Sequence, residues 1–261
     1  EASPHKIHWS APAYVLDRFP NTPVYLLPVT RRLPPSTSRV VQEAFYPDLP
    51  FESVVDPTDR RLRFGVSGME PGIDAALNAI ADGASLVAIT VPGSTPAHEE
   101  ADPEVAAVMA RVANRLLVRQ AEWVGHECLT EADIGCIDPH VISGGAISER
   151  LRRQRRDRIR VDTVEKWQGL QLPVSIVRHP LSRAGMPIAF DLEAGRWCVS
   201  LSRHQVACII VARATVHEVI RDYVHGCDTV AAGAKDATWS GFNAHRTIWR
   251  ALVDQGRVFA L

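Results

Sequence analysis

The sequence predicts an α/β protein in which helices cover both faces of a parallel sheet. Two features of the sequence pattern support this prediction. Apolar runs of strand length alternate with segments of helical periodicity along most of the 261 residues. Several of these runs are apolar throughout and rich in β-branched residues, which is typical of strands buried on both faces. Strands that alternate with helices in this way are expected to lie parallel and to be joined by crossover helices.

The first half of the chain supplies strands and helices in turn. Residues 1–23 show no periodicity, and we expect them to form an irregular arm. Two apolar runs, residues 24–29 and Leu86–Val91, are predicted to be strands. Helices are predicted at Pro35–Phe45, at Ile73–Ala81 and from Pro103 onward.

The second half continues the same alternation. Further strands are predicted at Ile134–Ile137 and over residues 158–164, 174–177 and 208–212. Further helices are predicted over residues 141–156, 195–202, 216–224 and 244–253. The last two helices belong to residues 213–261, which we expect to form a helical extension packed on a domain made by residues 24–212.

Composition and charge exclude several classes of protein. The chain has 29 basic and 30 acidic residues and a formal net charge of -1, so any nucleic-acid site must be local. No apolar run approaches the roughly 20 residues of a membrane-spanning helix. The five cysteines lack CxxC spacing, which argues against a disulfide framework or a zinc site and favours the cytoplasm. Glu1 has the character of a fragment boundary, so we expect further sequence upstream.

The sequence also lacks the motifs of several self-contained enzymes. A P-loop hydrolase needs GxxxxGK[ST], because backbone amides and one lysine bind the phosphates while a hydroxyl binds magnesium. None of the three lysines, Lys6, Lys166 and Lys235, lies in that context. The GxGxxG, GxSxG and HExxH motifs are absent as well. We therefore do not expect the isolated chain to hydrolyse nucleotides.

Four segments carry a resemblance to a known family. In chain order they are LLPVTRRLPP at residues 26–35 followed by Phe45 and Tyr46, DIGCIDPH at residues 133–140, VDTVEKWQG at residues 161–169, and RWCVSLSR at residues 196–203. Their order, spacing and attachment to the predicted strands resemble motif IV, a DIGVVTPY-like strand and turn, motif V and motif VI of superfamily 1 helicases of the Upf-like AAA-ATPase type. The resemblance extends over about residues 24–212.

The resemblance implies a specific fold and activity. The fold would be the C-terminal RecA-like motor domain of the P-loop NTPase superfamily, which lacks a Walker A motif of its own. In this family ATP with Mg2+ binds between two RecA-like domains, and the N-terminal one carries the Walker motifs. The chain would then hydrolyse ATP only as part of a longer helicase. Its partners would be that N-terminal domain and single-stranded nucleic acid, with DNA favoured over RNA, and not a membrane.

Two arginines match phosphate-binding positions of the family. Arg203 in motif VI corresponds to the arginine finger, and Arg32 in motif IV corresponds to a second phosphate ligand. This chemistry needs arginine because a guanidinium fork matches the charge that develops on the γ-phosphoryl oxygens. Motif V further implies that Gln168, Gly169 and Gln171 contact the nucleotide.

Three other residues match nucleic-acid contacts of the family. Thr163 would donate to a backbone phosphate, Trp167 would stack on a base, and His140 ends the DIGVVTPY-like turn. For Trp167 we favour a second interpretation, in which the ring packs in the core. The seven arginines within residues 150–160 could follow a polyanionic backbone, although the solvated end of a helix is the interpretation that we favour.

The chain departs from the family within these motifs. Gln171 replaces an acidic residue of motif V, Gln205 replaces a basic residue of motif VI, and Cys198 replaces its asparagine. Ser143 stands where the family has glutamine. These departures leave open a non-catalytic module with an inherited RecA-like fold that binds nucleic acid or protein. An unrelated α/β enzyme with a small-molecule pocket is a third alternative.

Overall fold

Strands and helices alternate along the chain. The computed structural model describes residues 11–94, 101–222 and 237–261. Its strands are β1 Val29–Thr30, β2 Glu52–Ser53, β3 Leu62–Phe64, β4 Leu86–Val91, β5 Ala121–Trp123, β6 Ile134–Ile137, β7 Arg160–Asp162, β8 Leu172–Arg178, β9 His204–Arg213 and β10 Val258–Ala260. Its α-helices are α1 Ala11–Arg18, α2 Pro35–Phe45, α3 Ile73–Ala81, α4 Pro103–Val118, α5 Val141–Arg153, α6 Ala194–Leu201, α7 Val216–Asp222 and α8 Ala237–Asp254.

A six-stranded parallel sheet forms the centre of the structure. Its strand order is β10-β4-β9-β8-β6-β7, and each neighbouring pair is parallel. On one face, α4 and α5 connect strands in the direction of β7, whereas on the other face α6 and α8 connect strands in the direction of β10. The crossovers on the two faces run in opposite directions along the sheet, so all of them have the same handedness. A single handedness is the rule for connections between parallel strands. The predicted α/β class is confirmed.

Each face of the sheet has its own hydrophobic core. On one face, α3 and α4 bury residues such as Leu77 and Met109. On the other face, α6 and α8 bury residues such as Trp197 and Ile248. From Ala207 to Ala212, successive residues of β9 belong alternately to the two cores, because neighbouring side chains of a strand point to opposite faces. This explains why the middle of β9 is apolar at every position rather than at every second one.

An ion pair with β9 fixes the start of α4. Asp102 caps the helix, since its Oδ1 accepts the backbone N–H groups of Glu104 and Val105 at 3.1 and 3.2 Å. Its two carboxylate oxygens also accept Nη2 and Nε of Arg213, each at 2.6 Å. Burial raises the pKa of Asp102, but the hydrogen bonds from Arg213 and Val105 outweigh it and leave this pKa below its usual value.

Most of the predicted elements are confirmed, several of them to the residue. Four predicted elements have the observed bounds of α2, α3, β4 and β6. The helix expected from Pro103 is α4, and the strands expected over residues 174–177 and 208–212 lie within β8 and β9. The helix expected over residues 141–156 ends at Arg153, and the strand expected over residues 158–164 is limited to Arg160–Asp162.

Predictions for the two outer parts of the chain are corrected by the structure. Residues 24–28 form no strand, because they lie exposed and only Val29–Thr30 finds a partner, in Glu52–Ser53. The arm is not irregular throughout, since residues 11–18 form α1, and its residues 15–18 are exposed, so that they carry no buried apolar stripe that periodicity could reveal. The extension after residue 213 is not wholly helical, since β10 joins the sheet beside β4. Residues 1–10, Val224 and Cys227 lie outside the described residues.

None of the described helices combines the length and the apolar character that crossing a membrane requires.

Trp167 accounts for a glycine inside the buried sheet. Its ring is fully buried and lies over β6. A Cβ on Gly135 would collide with this ring and with the side chain of Leu172. The missing side chain at Gly135 therefore makes room for the indole.

Gly135→Ala is expected to lower the free energy of unfolding by about 1–3 kcal/mol, the usual cost of overpacking a core. Gly145→Ala is the matched control, because Gly145 lies inside α5 with no neighbouring atom within 4 Å of an added Cβ. Alanine there is expected to stabilise the protein by about 0.5–1 kcal/mol. Urea denaturation of both variants measures the two changes, and an unchanged stability of the Gly135→Ala variant would contradict the packing argument.

Candidate functional site

Arg32 and Arg203 line the same cavity, although they are far apart in the sequence. The cavity has a volume of about 650 Å³. Arg32 lies in the turn between β1 and α2, and Arg203 joins α6 to β9. The carbonyl oxygen of Arg203 accepts the backbone N–H of Leu172, the first residue of β8, at 3.0 Å. The cavity therefore lies at the amino ends of the central strands.

Arg203 is buried, yet its guanidinium group bonds to uncharged oxygens. Nε donates to the carbonyl oxygen of Val199 at 3.1 Å, and Nη2 donates to the hydroxyl of Ser202 at 3.0 Å. Nη1 lies 3.5 Å from the carbonyl oxygen of Leu170. Burial lowers the pKa of Arg203, and the positive charge of Arg32 lowers it further. Within the described part of the chain, no carboxylate balances this charge.

Arg32 is half-buried and also lacks a carboxylate among the residues that the structure describes. Its Nε is buried and has no hydrogen-bond partner within that same part of the chain. Its backbone N–H lies 3.4 Å from the hydroxyl oxygen of Thr30. Burial lowers the pKa of Arg32. Both guanidinium groups therefore add positive charge to the same cavity, and the N–H donor at Nε of Arg32 remains available to a ligand.

The other buried arginines in the described residues are paired with acids. The pairs Arg119–Asp74, Arg178–Asp138 and Arg213–Asp102 have N–O distances of 3.2, 3.8 and 2.6 Å. A buried guanidinium without an acid is costly, because its lost hydration is not replaced by an opposite charge. Two such cations beside one cavity form an arrangement that favours an anionic ligand.

Apart from the two arginines, the residues that line the cavity are uncharged and mostly apolar. They include Leu26, Leu27, Tyr46, Phe51 and Cys198. The Tyr46 hydroxyl lies 3.6 Å from the Cys198 sulfur. The neighbouring Cys198 thiol and burial together raise the pKa of Tyr46 to about 12, and burial raises the pKa of Cys198. Neither group therefore supplies a negative charge at neutral pH.

The motif V residues lie exposed beside Arg203. Gln168, Gly169 and Gln171 form the turn that leads into β8, and the carbonyl oxygen of Leu170 within this turn faces Nη1 of Arg203. Gly169 has φ +84°, a conformation that favours glycine, while the space around its Cα is open. The five residues predicted to contact the nucleotide are thus on one edge of the sheet.

The nucleic-acid candidates lie at the opposite edge. Thr163 follows β7 and His140 follows β6, so both lie at the carboxyl ends of paired strands. The His140 ring stacks on Phe190 with a centroid separation of 5.2 Å. Burial lowers the pKa of His140, and the positive charge of Arg178 acts in the same direction. The structure therefore brings Thr163 and His140 to one edge and separates them from the two arginines.

Trp167 is not exposed to a ligand. Its side chain is 0% exposed and packs on β6, so the core interpretation of this residue describes its place in the structure. Arg160 lies over the ring, with its guanidinium carbon 5.0 Å from the ring centroid. A base could stack on this indole only after the connection between β7 and β8 had moved.

The basic run at the end of α5 is partly neutralised. Arg152 and Arg153 both bind Glu149, at 2.5 and 3.0 Å. Arg156 lies 3.4 Å from Glu131, one residue of a 3-10 turn before β6. These contacts fit the solvated helix end better than a continuous phosphate-binding track.

Sequence reasoning missed part of the site. It placed neither Tyr46 nor His204 at the site. Three hydroxyl residues, Ser36, Thr37 and Ser38, directly follow the two prolines that come after Arg32 and Leu33. That run of hydroxyls at a helix start was the available signal, and the structure places Thr37 in contact with His204.

Comparisons with known proteins leave the family unidentified. A scan of the sequence against protein-family models gives no match, and a search of curated proteins gives no significant match. What the structure establishes is an α/β domain with a six-stranded parallel sheet.

In the described part of the chain, three histidines are buried, and their burial disfavours the charged ring. His204 is at the start of β9, His179 directly follows β8, and His245 lies in α8 against Trp197, with ring centroids 5.2 Å apart. Burial is the main cause that lowers the pKa of His204 to about 3, the pKa of His245 to about 4, and the pKa of His179 well below its usual value.

Stability is expected to fall as the pH falls below about 6.5, because the unfolded chain binds protons that the folded histidines refuse. Each histidine contributes roughly 1.4 kcal/mol per pH unit between its ordinary pKa and its folded pKa. His245→Phe keeps an aromatic ring beside Trp197 and should reduce this slope by about 1.4 kcal/mol per pH unit, since one such group is removed. Urea denaturation between pH 7 and pH 5 measures the slope, and an identical slope in the variant would count against this origin.

Proposed function

We propose that this chain is the C-terminal RecA-like motor domain of a superfamily 1 helicase-like ATPase. In this proposal Arg203 and Arg32 contact the phosphates of ATP that is bound chiefly by a separate N-terminal domain with Walker motifs. The observation that carries the proposal is the meeting of these two arginines, from the motif VI and motif IV segments, in one cavity without an acid from the described residues.

The donor set fits a polyphosphate. Arg203 and Arg32 retain their charge, and the Nε of Arg32 is buried without a partner in the described residues. Guanidinium groups bind phosphate oxygens with two parallel hydrogen bonds, which positions the group as well as balancing its charge. When bound there, ATP with Mg2+ would supply the phosphoryl group whose developing charge the arginines stabilise. Gln168, Gly169 and Gln171 flank Leu170, whose carbonyl oxygen faces Arg203, so they could add polar contacts from the same edge of the sheet.

The opposite edge supports the nucleic-acid part of the proposal. Thr163 offers a hydroxyl and His140 a ring at the carboxyl ends of neighbouring strands, where ligands of open parallel sheets commonly bind. Single-stranded nucleic acid, with DNA favoured over RNA, is the proposed ligand. The connection from Thr163 to Gln171 then joins the two edges within a few residues.

Arg203→Ala in the complete protein is expected to reduce the rate of ATP hydrolysis by about 10³-fold or more, because an arginine finger acts mainly on the transition state. Arg32→Ala is expected to reduce it in the same direction. Arg39→Ala is the control, since Arg39 is exposed on α2 and pairs only with Glu43 in the described residues, at 3.2 Å. Hydrolysis is measured at saturating ATP with and without single-stranded DNA.

Two results would contradict the proposal. One is an Arg203→Ala protein that hydrolyses ATP at the rate of the unmodified protein. The other is a complete protein that binds single-stranded DNA but hydrolyses no ATP under any of these conditions. The second result would favour the alternative, a non-catalytic module with an inherited RecA-like fold.

A further inference from the structure

Four uncharged side chains, three of them close in sequence to the two arginines, form a hydrogen-bond chain. Nε2 of His204 is 3.1 Å from Oγ1 of Thr37, which is 2.7 Å from Oγ of Ser85. Ser85 Oγ is in turn 2.5 Å from Oγ of Ser36. His204, Thr37 and Ser85 are buried. The chain thereby joins the starts of three elements, namely β9, α2 and β4.

Two members of this hydrogen-bond chain, His204 and Thr37, are connected through the backbone to the two arginines. His204 follows Arg203 directly in the sequence. Thr37 lies in the first turn of α2, which Leu33 and the two following prolines connect to Arg32. Leu33 is buried, and proline rings fix φ, so this connection is stiff. A displacement of α2 relative to β9 would therefore change the separation of the two guanidinium groups.

The hydrogen bonds of the chain depend on one another. A neutral imidazole nitrogen either donates or accepts, and each hydroxyl has one proton to donate. The direction of donation is therefore set for all members at once, from Ser36 to His204 or the reverse. Removing one hydroxyl leaves its buried neighbour without a partner, which affects the whole chain. A protonated ring would place a third positive charge beside Arg32 and Arg203, and burial prevents this.

We propose that His204 and Thr37 are positioning residues that set the spacing of Arg203 and Arg32 for a polyphosphate ligand. This inference rests on the proposed function and deepens it, since it adds residues that act through the two arginines. A polyphosphate presents oxygens at fixed separations, so its affinity depends on how accurately both guanidinium groups are held.

Thr37→Val tests the proposal with inorganic triphosphate as the probe. Valine keeps the shape of threonine and removes the hydroxyl, and calorimetric titration of the 261-residue chain measures the Kd. We expect about tenfold weaker binding, which Thr37→Ser restores to within about threefold because it returns the hydroxyl. Ser38→Ala is the matched control, since Ser38 lies in the same helical turn and its hydroxyl bonds to the carbonyl oxygen of Pro35 at 3.0 Å. It should bind the probe like the unmodified chain.

A double-mutant cycle separates positioning from general destabilisation. Arg203→Lys keeps the charge but loses the fork, so its binding stays measurable. If Thr37 acts through Arg203, Thr37→Val should weaken binding by less than about twofold in the Arg203→Lys background. Equal effects in both backgrounds would overturn the proposal. His204→Phe removes the other partner of the Thr37–His204 contact and replaces Thr37→Val in the cycle if that variant does not fold.

The outcomes distinguish this inference from the function on which it rests. If Arg32→Ala and Arg203→Ala abolish triphosphate binding while Thr37→Val and His204→Phe leave Kd unchanged, the anion site stands and the positioning role is refuted. If the unmodified chain binds no triphosphate, or if the arginine variants bind it normally, the positioning role is refuted as well, whereas the proposed function is decided separately by the hydrolysis rates of Arg203→Ala and Arg32→Ala in the complete protein.

Discussion

A guanidinium group that is buried away from water is costly unless an opposite charge lies beside it. The edge of the sheet at the carboxyl ends of the strands and the edge at their amino ends differ in whether this opposite charge is present. At the carboxyl edge it is present. Arg213 binds the cap of α4, and Arg178 lies beside Asp138, whose side chain accepts the hydroxyl of Ser143 in α5 at 2.6 Å. At the amino edge the charge of Arg203 is left uncompensated by any acid in the described residues. The same residue type thus holds the fold together at one edge and forms the candidate site at the other.

The connection between β7 and β8 joins these edges without a crossover helix of its own. It begins at Thr163 and reaches Gln171 through one 3-10 turn at Val164–Trp167. Trp167 anchors the middle of the connection on β6, in the space that Gly135 leaves open. In the proposed motor, a shift at the nucleic-acid edge would have to move a fully buried indole before it reached Arg203. The coupling would then depend on packing rather than on a flexible loop.

The central part of the fold could be predicted because its signals are local. Apolar runs such as Leu86–Val91 and the proline that starts α4 identify strands and helices without knowledge of their neighbours. The outer parts could not be predicted in this way, since β10 has three residues and is a strand only because β4 lies beside it. The same distinction applies to the site. Motif order selected Arg32 and Arg203, but the lack of an acid near them is a property of the folded arrangement.

The position of β10 also determines when the sheet can be completed. Synthesis proceeds from the N-terminus, so β4 leaves the ribosome long before Val258–Ala260, with which it pairs, has been translated. During that interval one edge of a mostly apolar strand, which is wholly buried in the finished protein, has no partner from its own chain. Such an edge can pair with strands of other chains, and distant pairing of this kind is slow to form. The nascent protein therefore has a period of vulnerability to aggregation that ends only when its last described strand is added.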